Sequence, residues 1–312
     1  MTVDATVPRP AEPDGRPSRR RSRGPQRQTR AAMMFLAPSA IILAVFVFWP
    51  IVQSVVLSLH DWRFGTQAQE WAGFANYQKM WKDPRFWNAF RNTLYFSACF
   101  VPLGIVIPLL LALALNRALP FRALFRAAIF LPVIASFAVV ALAWRFLLDP
   151  DIGLLAYWMS FLGLPRFSPL RDPDWAMPAV IAVTLWKNIG FNMVIYLAGL
   201  QSIPPVLYEA ARIDNANRWT QFWFITWPQL KATNVFVVII TIIGAFQVFD
   251  PVFVLTPNGG PLFTTETLVS FIYRQGISQF KLSYAASIGV VLFAIVFILT
   301  LIQLRLTRSG RQ

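Results

Sequence analysis

Six long apolar runs divide this chain, and polar or charged segments separate them. The runs cover residues 33–59, 92–116, 127–148, 175–200, 232–255 and 282–304. Each is close to the roughly 20 apolar residues that a helix needs to cross the hydrocarbon core of a bilayer. The pattern predicts an all-α integral membrane protein with six transmembrane helices.

Composition supports membrane insertion and limits the chemistry. Hydrophobic residues make up 56% of the chain and charged residues 13%, a balance that excludes a soluble domain. A single cysteine, Cys99, and a single histidine, His60, rule out an internal disulfide and the usual zinc clusters. No glycine is followed by lysine, so the phosphate-binding loop of ATPases is absent. We expect no catalytic residue, no metal and no cofactor, and therefore not an enzyme.

Basic residues are distributed unevenly between the two sides of the predicted spans. On the side of the N terminus lie 17 of the 28 lysines and arginines, and nine lie on the opposite side. Because cytoplasmic loops are enriched in basic residues, the bias predicts that both termini and the segment 201–230 face the cytoplasm. Topology also accounts for the net charge of +14, so we expect no nucleic-acid partner.

The N-terminal residues 1–30 are rich in Arg, Pro and Ser, and we expect them to form a disordered cytoplasmic tail. A signal peptide is the alternative, but the run 33–59 is too long for one and no small-residue cleavage site follows it. Two roles stay open for this tail: it contacts anionic lipid, or it only fixes the orientation of the chain in the membrane. We expect residues 305–312 to form a second, short cytoplasmic tail.

The polar segment 201–230 lies between the fourth and fifth runs and has a helical pattern of its own. Prolines at 204 and 205 favour a helix start, because the first turn of a helix does not use their missing N–H. Val206, Ala210 and Ile213 then share one apolar face. Residues 214–217, Asp-Asn-Ala-Asn, favour a turn, and a second helix rich in Trp and Phe should follow Asn217.

Five residues of this segment form a recognisable pattern: Glu209, Ala210, Ala211, Asp214 and Pro228. The pattern resembles the EAA loop of the permease subunits of binding-protein-dependent ABC importers. The resemblance implies a coupling helix that docks in a groove of a cytoplasmic ATPase subunit. Asn215 stands where that family usually has glycine, and asparagine tolerates the same left-handed backbone. An amphipathic interfacial helix without a partner is the alternative.

A second pattern runs through residues 246–273. It comprises FQVFD at 246–250, TPNGGP at 256–261, TETL at 265–268 and IY at 272–273. It resembles the fifth span and outer loop of carbohydrate-type permeases, the group that includes the maltose and glycerol-3-phosphate importers. The resemblance covers residues 88–304, which we assign as the permease domain, after a first transmembrane helix and outer segment at 31–87. Alone, Asn-Gly-Gly-Pro indicates only a turn with freedom for positive φ.

Polar residues inside the apolar runs are candidates for a substrate pathway, because an unpaired polar group in a bilayer is costly. They are Lys187, Asn188 and Asn192 in the fourth run and Gln247 and Asp250 in the fifth. Asn188 and Asn192 lie four residues apart on one helix face, so hydrogen bonding between helices explains them equally well. Asp250 should lie nearer the outer surface than Lys187, which disfavours an ion pair between the two.

The resemblances imply an ATP-driven importer that carries a sugar or related solute across the plasma membrane of a prokaryote by alternating access. The implied partners are a second, homologous permease, two copies of an ATPase subunit and an extracytoplasmic solute-binding protein. An ion-gradient-driven secondary transporter is the main alternative, although it would need buried carboxylates, and only Asp250 lies within a run. A permease for a non-sugar solute and a membrane scaffold are the others.

Overall fold

The computed structural model describes residues 25–62, 70–117, 120–165 and 167–308, with side chains from residue 33 to residue 305. These residues are mostly helical and divide into two units, Met1–Val52 and Gln53–Gln312. The predicted disorder of the basic tail concerns mainly residues 1–24, which lie outside the described residues, as do residues 309–312. Residues 25–30, which we expected to be disordered, instead begin the first helix.

The first predicted span is a long helix with one widened turn. Helix α1 covers Pro25–Leu43, a π-helical turn covers Ala44–Phe48, and α2 covers Trp49–Ser58. The widened turn has a local cause, because the Pro50 ring would clash with the carbonyl four residues earlier in a regular helix. Met33–Ser58 is long and apolar enough to cross a membrane, in agreement with the apolar run 33–59.

A connecting segment lies between α2 and the second span. It contains a short antiparallel pair, β1 (His60–Asp61) with β2 (Glu70–Trp71), followed by α3 (Ala75–Lys82). The Asn76 side-chain amide donates to the carbonyl oxygens of Ser58 and His60, at 2.9 Å each. These two bonds hold α3 against the end of α2.

The rest of the second unit is built around α8. The remaining helices, in chain order, are α4 (Pro84–Leu115), α5 (Arg122–Ile134), α6 (Phe137–Leu147), α7 (Leu154–Phe161), α8 (Ala176–Gln201), α9 (Pro205–Ile213), α10 (Arg218–Gln221), α11 (Trp227–Gln229), α12 (Lys231–Phe246), α13 (Asp250–Leu255), α14 (Leu268–Tyr273) and α15 (Leu282–Arg308). Helices α4, α5 and α12 all pack on α8, which is the most deeply buried of the candidate spans.

Close packing of α5 on α8 depends on one glycine. A Cβ atom at Gly190 would lie 2.4 Å from the Ile129 carbonyl oxygen, far inside van der Waals contact. Small residues at helix contacts let backbones approach in this way in membrane proteins. Gly190 therefore sets the distance between α5 and α8.

The third predicted span is not one straight helix. Helices α5 and α6 meet at an angle of 99°, and they supply a sixth span only if the bent pair is counted as one. Ala135 and Ser136 between them are extended, with ψ of 144° and 141°. Pro132 lies just before the bend and weakens the last turn of α5, because it lacks an N–H. The run 127–148 showed the length of the span but not this bend.

The fifth span is also interrupted. Helix α12 ends at Phe246 and α13 begins at Asp250, so residues 247–249 are not helical within the candidate span Lys231–Leu255. Pro251 in the first turn of α13 needs no N–H partner, which favours a new helix start there. Non-helical backbone at membrane depth is tolerated where it is buried in protein or lines a cavity.

Candidate functional site

The segment 201–230, which we call the coupling segment, folds as two short helices around a tight turn. Helix α9 begins at Pro205 after Pro204 and ends at Ile213, as the prolines predict. Asn215 has a φ of +54°, so asparagine does adopt the left-handed backbone where glycine is usual. The N–H of Ala216 donates to the Ala211 carbonyl at 2.9 Å and closes the helix end.

The second helix of the coupling segment begins where the sequence predicts it. Asn217 caps α10, and its side-chain oxygen accepts a hydrogen bond from the Thr220 N–H at 2.8 Å. The Gln221 amide donates back to the Ala216 carbonyl at 2.8 Å. The turn between α9 and α10 is thus fixed by bonds from both sides.

Pro228 lies in α11, directly after a π-helical turn over Phe222–Thr226. As at Pro50, the proline ring cannot fit a regular turn, and the turn before it widens. The Tyr208 hydroxyl lies 2.9 Å from the Thr226 hydroxyl of that widened turn. Pro228 therefore helps to place a residue that holds α9 to the following segment.

The two faces of α9 differ sharply in exposure. Ala211 is buried, whereas Glu209, Ala210 and Asp214 are exposed. The predicted apolar face is also exposed: Val206 is 62% exposed and Ile213 is 82% exposed. Ala211 thus packs inward, and the other residues are available to a partner.

Four of the five predicted pathway residues line a cavity of about 310 Å³. Asn188, Asn192, Gln247 and Asp250 all line it, together with the non-helical residues of the fifth span. Five phenylalanine rings form much of the remaining wall: Phe96, Phe100, Phe137, Phe191 and Phe249. Sequence reasoning did not select these rings, because with 28 phenylalanines in the chain residue type alone carries no signal.

The two asparagines of α8 have different partners. The Asn192 amide donates to the Gly104 carbonyl at 2.8 Å and to the Thr241 hydroxyl at 3.2 Å, so it joins α8 to α4 and α12. The Asn188 amide donates to the Thr184 carbonyl of its own helix at 2.8 Å. Asn192 therefore forms the hydrogen bonds between helices. Over the residues whose side chains the structure describes, the side chain of Asn188 forms none between helices, and Asn188 lines the cavity.

Lys187 is the candidate that does not line this cavity. Its side chain is buried, and Nζ lies 3.4 Å from the Val133 carbonyl oxygen and 5.4 Å from the centre of the Phe137 ring. In an unbroken helix the Val133 carbonyl would accept the N–H of Phe137, so the bend between α5 and α6 leaves it available. No ion pair joins Lys187 to Asp250 within the described part of the chain.

The outer loop, residues 256–267, is fixed to the start of α4. It has the positive φ angles that Asn-Gly-Gly-Pro suggests, at Asn258, Gly259 and Gly260. Side-chain amides of Asn88 and Asn92 donate to the Phe263 carbonyl at 2.9 Å each. These bonds join residues that are 175 and 171 positions apart in the sequence, and no local sequence signal predicts them.

Glu266, near the end of this loop, forms ion pairs with two arginines outside it. Its side chain is fully buried, 3.1 Å from Arg274 and 3.8 Å from Arg85. Burial raises the pKa of the Glu266 carboxyl, and the guanidinium groups of Arg274 and then Arg85 oppose that shift. Sequence reasoning assigned Glu266 only to a family pattern and missed its burial. Among the described residues, no group of three His, Cys, Asp or Glu could hold a metal ion.

The sequence of this chain is similar to those of known membrane transport proteins. Residues 32–311 match the family described as the binding-protein-dependent transport system inner membrane component. The probable ABC transporter permease YurN of Bacillus subtilis is 34% identical over 283 residues, which cover 89% of this chain and 96% of that protein. The lactose transport permease LacF of Rhizobium radiobacter is 36% identical over 89% of this chain and 94% of its own length.

Solved structures show the same fold. A bacterial ABC transporter that imports the acidic polysaccharide alginate has a chain with a TM-score of 0.81 and 26% identity, over 92% of this chain and 98% of that one. These similarities exclude the ion-gradient-driven transporter and the scaffold, and they make the chain a transport subunit rather than an enzyme. They confirm the resemblance seen in the sequence, and the chain belongs to the family of inner-membrane permease components of binding-protein-dependent ABC transport systems.

Proposed function

We propose that this chain is one permease of an ATP-driven importer that moves a sugar or related carbohydrate into the cytoplasm by alternating access. The names of its relatives support this substrate class. They include permeases for lactose, for arabinooligosaccharides and for sn-glycerol-3-phosphate. The similar solved structure belongs to an alginate importer.

The observation that carries the proposal is the exposed apolar face of α9. Val206 and Ile213 project from a polar loop, and Glu209 and Asp214 are exposed on the same short helix. Exposed apolar residues grouped within polar ones are typical of a protein–protein contact. We assign this face to a groove on the ATPase subunit, with Ala210 permitting close approach and Asn215 and Pro228 fixing the turn and the following segment.

The proposed assembly has a second, homologous permease, two copies of the ATPase subunit and an extracytoplasmic solute-binding protein. One similar structure is a complex with a periplasmic protein that carries an alginate pentasaccharide, which supports a docking partner of this kind. Both termini and the coupling segment would face the cytoplasm, and the excess of basic residues on that side supports this orientation. The boundary of the permease domain near Asn88 stays a prediction.

For the substrate pathway we propose the cavity between α8 and the break in the fifth span. Asn188, Gln247 and Asp250 supply groups that hydrogen-bond to hydroxyls, and phenylalanine rings supply apolar walls, the usual balance in a solute site. We assign Asn192 mainly to the contact between helices and Lys187 to the bend between α5 and α6.

The test is transport by the complete importer in proteoliposomes. Ile213→Asp should abolish sugar uptake and the stimulation of ATP hydrolysis by loaded binding protein, because it places a charge in the ATPase contact. Ile152→Asp is the matched control, since Ile152 is 69% exposed but lies outside the coupling segment. Normal uptake by Ile213→Asp would remove the coupling assignment.

A further inference from the structure

A pocket of about 560 Å³ lies between the coupling segment and the adjoining ends of α4 and α8. Three arginines line it: Arg117 follows α4, Arg212 lies on α9 and Arg218 begins α10. All three are exposed, and none of their guanidinium groups forms a hydrogen bond or ion pair with another described residue. The coupling segment and the distant end of α4 thus bring three free guanidinium groups to one pocket.

Several other arginines of the described chain do have side-chain partners. Arg171 faces Asp149 and Asp151, Arg274 faces Glu266, and Arg126 donates to the Leu115 carbonyl. No carboxylate belongs to the described lining of the pocket. Like charges around one pocket repel each other, and a bound anion would remove that repulsion.

The position of the pocket selects among anions. Leu110 and Leu113 of α4 line it beside the arginines, and both belong to a candidate membrane span. Trp219, 70% exposed, lies at the same pocket and is of the residue type that prefers the headgroup zone. An apolar wall that continues into a basic rim fits an anion attached to an acyl chain better than a free anion.

We propose that this pocket binds the phosphate headgroup of an anionic phospholipid, with acyl chain against Leu110 and Leu113. Basic pockets between spans on the cytoplasmic side are suited to such headgroups. The cytoplasmic position rests on the proposed function, whereas the binding itself does not. Since Arg212 and Arg218 lie on either side of the Asn215 turn, the bound headgroup would hold α9 and α10 together.

The proposal is tested by lipid binding to the purified full-length chain in detergent, measured by native mass spectrometry. The probes are phosphatidylglycerol and, as the neutral comparison, phosphatidylcholine. Each arginine near an anionic headgroup contributes about fivefold in affinity. Replacing Arg117, Arg212 and Arg218 together by Gln should therefore weaken phosphatidylglycerol binding by about a hundredfold and leave phosphatidylcholine binding unchanged.

Three controls make the result decisive. Arg122→Gln, also exposed but outside the pocket lining, should bind phosphatidylglycerol normally, and an equal loss there would mean general surface charge and overturn the proposal. The triple Arg→Lys variant should keep most of the phosphatidylglycerol binding, because it keeps the positive charges. Loss of binding in that variant would contradict attraction between these charges and the headgroup. Inorganic phosphate should not displace the lipid; displacement at millimolar phosphate would assign the pocket to a soluble anion instead. No ATPase is present, so failure of the coupling role would not alter these outcomes.

Discussion

The Nη1 atom of Arg274 lies 3.1 Å from Oε1 of Glu266, a side chain with no exposed surface. Removal of one member of a buried ion pair costs about 3–5 kcal/mol, because the other charge stays buried without its partner. We expect Arg274→Met to lower the midpoint temperature of thermal unfolding of the purified chain, measured by tryptophan fluorescence. Arg171→Met is the control, since that side chain is 64% exposed and an exposed pair contributes about 0–1 kcal/mol. Equal midpoints for the two variants would contradict a role for Glu266 as the anchor of the outer loop.

The raised pKa of Glu266 predicts a pH dependence of stability. A carboxyl whose pKa rises on folding contributes stability below its ordinary pKa of 4.5, and this contribution is lost as pH rises through the folded value. The thermal midpoint of the wild type, relative to Glu266→Gln, should therefore rise as pH falls from neutral towards 4.5. If the midpoint of the wild type instead fell relative to that of Glu266→Gln as the pH decreased, burial would not be the main influence on the pKa of Glu266.

The two asparagines of α8 should behave differently when replaced by Leu. Asn192→Leu removes two bonds between helices, each worth about 0.6 kcal/mol in membranes, so the amount of folded protein should fall. Asn188→Leu removes only a bond within α8, so uptake per molecule should fall while the amount of protein stays normal. Sugar uptake and membrane abundance are measured together, with Gln247→Leu as a second cavity variant. Proportional losses of uptake and protein for Asn188→Leu would place it outside the pathway.

Gly190→Ala should separate α5 from α8. The new methyl group would meet the Ile129 carbonyl, and overpacking of this kind costs about 1–3 kcal/mol. Gly289→Ala is the matched control, because a Cβ there meets no atom within 4 Å. We expect a lower thermal midpoint for Gly190→Ala only. An unchanged midpoint would mean that α5 is free to move away from α8.

The sequence predicted those features that depend on local pattern. Apolar length placed the spans to within a few residues, apart from the second, whose helix starts earlier at Pro84 because Asp83 caps it. Proline and asparagine chemistry predicted the ends of α9 and the turn at Asn215.

Features that depend on contacts distant in sequence could not be predicted in this way. The 99° bend after Pro132, the place of Lys187 at that bend and the bonds from Asn88 and Asn92 to the outer loop all require the packed structure. The break after Phe246 had a local signal, Asp250-Pro251, which suits a new helix start. Hydropathy alone passes over that signal, because one glutamine and one aspartate among apolar residues do not interrupt an apolar average.

Cross-linking in the assembled importer decides whether α9 contacts the ATPase. With Cys99 replaced by Ser, cysteine is introduced at Ala210, which is exposed on α9, or at Asn258 in the outer loop as the control. A short bifunctional maleimide should join the cysteine at 210, and not the one at 258, to a cysteine in the groove of the ATPase subunit. Cross-linking from 258, or labelling of 210 by an impermeant reagent added outside the cell, would contradict the coupling role of this loop.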